Sequence, residues 1–143
     1  MKSIITTFIF SIMTLISSAQ LKTGDKVFLQ YQEVKDKKNV NGDDACQMLQ
    51  SYILGKTSLI IVNSIDKSDY TFVLNVVKRS MPGERKAKIT IINNTTENNI
   101  FESKWKRGTS NVYYGMSPTR HAIARVFKNQ ILKEFKEIKE IKK

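Results

Sequence analysis

The alternation of apolar and polar residues predicts a sheet in the first two thirds of the chain. Residues 68–77 (SDYTFVLNVV) place Tyr70, Phe72, Leu74 and Val76 on one side of an extended segment. This two-residue period makes it the clearest strand of the chain. Residues 26–34 show the same alternation, and the continuous apolar run at 58–63 (SLIIVN) predicts a strand covered on both faces.

Two further segments continue the sheet as a meander. Pro82-Gly83 predicts a turn, after which Ala87, Ile89 and Ile91 resume the alternation. The polar stretch NNTTENN turns the chain again, and residues 100–106 place Phe101, Ser103 and Trp105 on the inner side. The N-x-T sequons at Asn93 and Asn94 fit this hairpin turn, with glycosylation as the alternative.

Two helices are predicted from apolar residues spaced three and four apart. The first follows Asn41-Gly42, with Asp43 or Asp44 as its cap and Gly55 as its left-handed end. The second is long, with Ser117 as its cap and Pro118 at its first position. Their apolar stripes are Ala45, Met48, Leu49, Tyr52 and Ile53 in the first, and Ile123, Phe127, Ile131, Phe135, Ile138 and Ile141 in the second.

These elements predict an α+β fold in two layers, in the order β-α-β-β-β-α. Each helix supplies one apolar stripe, so both helices should lie on one face of a single mixed or antiparallel sheet. The opposite face of the sheet should be open.

The amino-terminal residues predict export. Met1-Lys2 is followed by an apolar run that is too short and too interrupted to span a bilayer comfortably, and Ser17-Ser18-Ala19 ends it. This is the pattern of a secretory signal peptide, residues 1–19, with cleavage before Gln20. Residues 20–25 would then form a short extension and residues 26–143 a single domain with fraying last residues, periplasmic or secreted.

Two segments carry a resemblance. Asp69-Tyr70 with its alternating strand, and the strand IFESKW at 100–105, resemble a small periplasmic α+β family that includes the curli-export lipoprotein CsgG and the amino-terminal domain of TolB. The resemblance covers about residues 26–140 as element order. It implies a non-catalytic envelope domain that binds another protein or assists assembly. The chain departs from the family at Thr96-Glu97-Asn98, where many members carry Thr-Gly, and it lacks a lipid-bearing cysteine.

Reactive residues give little indication of catalysis. His121, the sole histidine, has no second histidine four residues away, and Cys46, the sole cysteine, lies beside an apolar stripe. Asp43-Asp44 supplies too few oxygens for a hard cation. The glycines are scattered, so no phosphate-binding loop is predicted. We therefore expect a non-enzymatic protein with no cofactor and no metal.

Positive charge is the strongest chemical feature of the sequence. The chain has 24 Lys and Arg against 13 Asp and Glu, a net charge of +11. Alternation sends several of these cations to the open sheet face, and neighbouring loops add more. The predicted binding residues are Lys78, Arg79, Arg85, Lys86, Lys88, Lys104, Lys106 and Arg107.

A basic face of this kind suits an anionic partner such as lipopolysaccharide, lipid or acidic polysaccharide, or an envelope protein. The alternative is a solvated face that keeps sheet edges from aggregating. Tyr113 and Tyr114 form a candidate contact loop. The predicted function is an exported binding or assembly-accessory protein of the bacterial cell envelope. The alternatives are a nucleic-acid-binding module, which a signal peptide disfavours, and a small hydrolase that uses His121.

Overall fold

A mixed sheet of six strands carries helices on one side. The structure is a computed structural model and describes residues 20–110 and 117–140. The strands are β1 (Lys26–Tyr31), β2 (Ile60–Ile61), β3 (Tyr70–Lys78), β4 (Glu84–Asn93), β5 (Asn98–Glu102) and β6 (Lys106–Thr109). The helices are α1 (Gly42–Lys56), α2 (Pro118–Val126) and the single turn α3 (Leu132–Glu134). The predicted α+β class is confirmed.

The strand order in the sheet is β2-β1-β3-β4-β5, and β6 pairs with the other end of β4. β1 is parallel to both of its neighbours, because α1 carries the chain back from β1 to β2 and the segment 62–69 carries it back from β2 to β3. β3, β4, β5 and β6 are joined by antiparallel pairs. The predicted order had too few strands, since the described residues give β-α-β-β-β-β-β-α.

The core lies between the sheet and the helices. On the sheet side, Phe72, Leu74 and Val76 of β3 are fully buried next to Ile89 and Ile91 of β4. The helices contribute fully buried Leu49, Ile53, Ile123, Phe127 and Ile131. The alternation in residues 68–77 therefore identified the inner face of the central strand correctly.

The predicted ends of the first helix were wrong by a few residues. Asn41 caps it, because the Asn41 side chain accepts a hydrogen bond from the Asp44 N–H at 3.0 Å. Asp43 and Asp44 lie in the first turn instead. Gly55 is inside the helix, which ends at Lys56 with Thr57 as its cap.

The segment 58–63 is an edge and not a strand covered on both faces. Only Ile60 and Ile61 pair with β1, and the Ile60 side chain is 47% exposed. A run of apolar letters could not distinguish these cases, because the position of a strand in the sheet is set by its partners.

Residues 100–106 do not form one strand, and this changes the direction of Trp105. Ser103 pairs with Ile89 through two hydrogen bonds of 2.9 Å, whereas Lys106 lies opposite Ala87. Lys106 comes three residues after Ser103, whereas Ala87 comes only two residues before Ile89. One extra residue is therefore inserted between Ser103 and Lys106 as a bulge. Trp105, predicted to be inside, is 37% exposed on the open face. Lys106, predicted to be outside, shares the helix side with Ala87.

The long carboxy-terminal helix is interrupted. A π-helical turn occupies Phe127–Ile131, and α3 is followed by a 3-10 turn, Lys136–Ile138. Ile123, Phe127 and Ile131 are each four residues apart, more than the 3.6 of an α-helix, so a regular helix would rotate them away from the core. The wider π turn keeps Phe127 and Ile131 buried.

Two polar segments pack more closely than their composition suggests. In the predicted extension 20–25, Leu21 is 2% exposed and belongs to the core. In the hairpin after β4, the Asn93 side chain accepts from the Thr95 N–H at 2.9 Å, and the Asn94 amide oxygen accepts from the Thr71 hydroxyl at 2.7 Å. Both sequon asparagines are thus part of the turn.

Candidate functional site

The predicted basic residues divide between the two faces of the sheet. Lys86 lies opposite both Val77 and Arg107, and Lys88 lies opposite Asn75, so these three cations share the open face. Lys78 pairs with Arg85, and both line a small depression on the helix side beside Met48 and Thr119. The structure therefore does not join the eight predicted residues into one patch.

Carboxylates accompany three of these cations. Lys88 Nζ lies 2.7 Å from Glu102 Oε1, and Glu84 lies between Arg79 (3.6 Å) and Arg107 (3.8 Å). Such pairs reduce the attraction of the open face for an anion. The Lys104 side chain is exposed, and the backbone of Lys104 is held by Gln130 through hydrogen bonds of 2.7 and 3.2 Å.

A larger basic site lies in the helical layer and was missed by the sequence analysis. We call it the basic groove, a depression of about 1060 Å³ between α1 and the carboxy-terminal helical segments. Among the described residues, five cations and one carboxylate, that of Glu140, line it. The cations are Lys56, Arg125, Lys128, Lys133 and Lys139, and the other lining residues include Tyr52, His121 and Asn129.

The local sequence explains how these cations converge. Lys56 ends α1, where a positive charge is favoured by the helix dipole. Arg125 is on α2, and the π turn carries Lys128 and Asn129 into the groove while Phe127 stays in the core. The Tyr52 and Phe127 rings pack 5.0 Å apart at the boundary between groove and core. π turns of this type occur frequently at functional sites.

A signal for this groove is present in the sequence. His121, Arg125 and Lys128 recur at intervals of four and three residues, which places them on one side of a helix. The pairing of that side with the end of α1 is a tertiary feature. No periodicity within either helix reveals it.

His121 is held by the backbone and not by an acidic partner. Its Nδ1 lies 3.1 Å from the Thr109 nitrogen and 3.3 Å from the Thr109 carbonyl oxygen, so Nδ1 can accept from the N–H or, when protonated, donate to the carbonyl. Among the described residues, the hydrogen bonds of the His121 ring go to this peptide group, an arrangement that resembles a structural residue more than a general base.

Cys46 lies in an environment that disfavours its thiolate. It is partly buried in α1, and burial, with a smaller effect from Asp43, raises the pKa of the Cys46 thiol. A raised pKa lowers its reactivity as a nucleophile. Within residues 20–110 and 117–140, three or more His, Cys, Asp or Glu side chains do not come together in a group that could hold a metal ion.

A separate depression lies on the open face of the sheet, and we call it the sheet-face groove. It has a volume of about 420 Å³ and is floored by Val73 and Asn75 of β3 and by Thr90 and Ile92 of β4. Trp105, Lys88 and Glu102 line it, as do Gln32, Glu33, Val34 and Asn99. Tyr113 and Tyr114, the predicted contact loop, lie outside the described residues.

Comparisons with known proteins leave the family open. No family model matches the chain, and no curated protein matches it. A solved structure of the hypothetical protein CT253 from Chlamydia trachomatis is similar over 78% of this chain and 95% of that one, with 7% identity and a TM-score of 0.47. Among the described residues, no helix is both long and apolar enough to cross a membrane.

Proposed function

We propose that this protein is a non-catalytic binding protein of the cell envelope, and that the basic groove holds an anionic, phosphate-bearing partner. The observation that carries the proposal is the convergence of five cations around one depression with a single carboxylate among its described lining residues. The predicted signal peptide supports a location outside the cytoplasm. The resemblance to envelope proteins, also a prediction, agrees with it.

The charge distribution favours the helical layer over the sheet for this role. On the open face, Lys88 and Arg107 lie beside Glu102 and Glu84. In the basic groove, Arg125 Nη1 donates to the Arg107 carbonyl at 2.9 Å, which positions the guanidinium without neutralising it. Clustered like charges in a concave site raise the local potential and attract anions.

The first test measures binding to vesicles of phosphatidylglycerol mixed with phosphatidylcholine, and to vesicles of phosphatidylcholine alone. We expect binding to the anionic vesicles only, weakened by salt. Replacing Arg125, Lys128 and Lys133 together by Gln should lower the partition coefficient roughly 100-fold, since each cation near an anionic surface contributes about 1 kcal/mol.

The matched control is Lys78, Lys86 and Lys104 replaced by Gln, three predicted cations that do not line the groove. It changes the net charge by the same amount and should leave most binding intact. Equal losses in the two triple variants would show that net charge, and not the groove, causes binding. Lipopolysaccharide, inorganic polyphosphate and duplex DNA as competitors distinguish the source of the phosphate.

A further inference from the structure

We propose that the sheet-face groove is a second binding site, which accepts a neutral oligosaccharide that stacks on Trp105. This ligand class differs from the anion assigned to the basic groove. The two sites lie on opposite sides of the sheet, since the basic groove is formed by the helical layer and the sheet-face groove by residues of the open face.

Trp105 provides an aromatic platform at this groove. The bulge between Ser103 and Lys106 turns its indole out of the core and onto the open face, and Trp105 is 37% exposed there. Lys88 Nζ lies 5.6 Å from the ring centroid, which favours a fixed orientation of the ring. An exposed, oriented aromatic ring beside a concavity is suited to contact the apolar face of a sugar ring.

The remaining lining residues match hydroxyl groups. Val73 and Ile92 give an apolar part of the floor, while Thr90, Gln32 and Asn99 supply a hydroxyl and two amides. The buried Asn75 amide already donates to the Gln32 carbonyl at 2.7 Å. Most of the lining residues are polar, which suits a ligand rich in hydroxyl groups. The volume of about 420 Å³ is within the usual range for small-ligand sites, about 300–1,000 Å³.

Charge decides between a neutral and an anionic ligand. The cation at the groove, Lys88, already contacts Glu102 at 2.7 Å, and Glu33 adds a further carboxylate to the lining. An anion would therefore meet a paired lysine and an additional negative charge. A neutral, hydroxyl-rich ligand can instead use the carboxylates as hydrogen-bond acceptors.

The sequence makes the test direct, because Trp105 is the single tryptophan of the chain. The probes are chitotetraose, cellotetraose and maltotetraose, with tetragalacturonate as the anionic counterpart, each titrated to about 10 mM, well into the weak range of affinities. We expect at least one neutral sugar to give a saturable change in Trp105 emission that salt does not alter. Tetragalacturonate should bind less well.

Calorimetry then compares variants. Trp105→Ala should weaken the neutral sugar about tenfold or more, and Trp105→Phe should restore part of the affinity. Glu102→Gln leaves Lys88 without its carboxylate and should increase binding of tetragalacturonate. The Gln variants of Arg125, Lys128 and Lys133 should bind the sugar normally, which separates this site from the basic groove.

Three results would overturn the proposal. One is the absence of binding by all three neutral sugars. Another is sugar binding that Trp105→Ala leaves unchanged. The last is a change in Trp105 emission that follows protein concentration, with a dimer in analytical ultracentrifugation, because a second copy would then occupy the face.

Discussion

Gly108 of β6 lies close against the backbone of α2, and replacing it by Ala tests that packing. A Cβ at residue 108 would overlap the Pro118 carbonyl oxygen and the Ala122 nitrogen and would lie 2.8 Å from the Ala122 Cα. All three are backbone atoms of α2, so no side-chain rotation can relieve the contact. Either β6 or α2 must move.

The expected loss in the free energy of unfolding follows from the cost of adding a group to a site that is already close-packed. Inserting a methyl group into a close-packed site typically costs about 1–3 kcal/mol, and occasionally more. Since a domain is stable by only about 5–15 kcal/mol, the Gly108→Ala variant should lose a substantial part of its free energy of unfolding. Arg125 lies on α2 and donates to the Arg107 carbonyl of β6, so movement of either element should alter its position in the basic groove.

Urea unfolding followed by circular dichroism measures this loss. The matched control is Gly55→Ala in α1, where an added Cβ meets nothing within 4 Å. Ala in a helix is favoured over Gly by about 0.5–1 kcal/mol, so the control should be slightly more stable than the parent. A Gly108→Ala variant with an unchanged or higher urea midpoint would refute the close approach of β6 and α2.

Three further variants test single contacts by the same unfolding assay. Leu21→Ala should lower the free energy of unfolding by about 2–5 kcal/mol because Leu21 is buried. The control Leu54→Ala should change it by no more than about 0.5 kcal/mol because Leu54 is exposed, and equal effects would contradict a packed amino-terminal segment. Ser103→Ala should cost about 1–3 kcal/mol, because it removes the acceptor of the buried Ile89 N–H, and a neutral effect would argue against the bulge. Burial raises the pKa of Asp25, so the folded state holds the proton more tightly than the unfolded state and stability falls as pH rises from the unfolded to the folded pKa. Asp25→Asn should therefore gain stability relative to the parent as pH rises through this acidic window. A difference in free energy of unfolding between variant and parent that does not change with pH would disprove the raised pKa of Asp25.

The strand periodicities were read correctly wherever a regular pleat continued. Phe72, Leu74, Ile89 and Ile91 all face the helices because strict alternation holds along β3 and β4. The inference failed at Trp105, since one inserted residue reverses the faces of everything that follows it. The sequence IFESKWK contains no glycine or proline to announce that insertion.

The candidate sites also depend on contacts between residues that are distant in the sequence. Net charge and the presence of many cations could be counted, but their ion pairs with Glu84 and Glu102 join residues from different strands. The basic groove brings Lys56 within the same depression as Lys128, which is far from it in the chain. Only packing of α1 beside the π turn creates that proximity.

The sequence by itself determined the α+β class, the inner face of the central strands and the excess of positive charge, because these depend on local periodicity and on counting. The tertiary structure alone decided that Trp105 faces solvent, that Leu21 belongs to the core and that five cations surround one groove. These features depend on register and on helix packing, which are set by contacts between residues distant in the chain, and a local pattern cannot encode them.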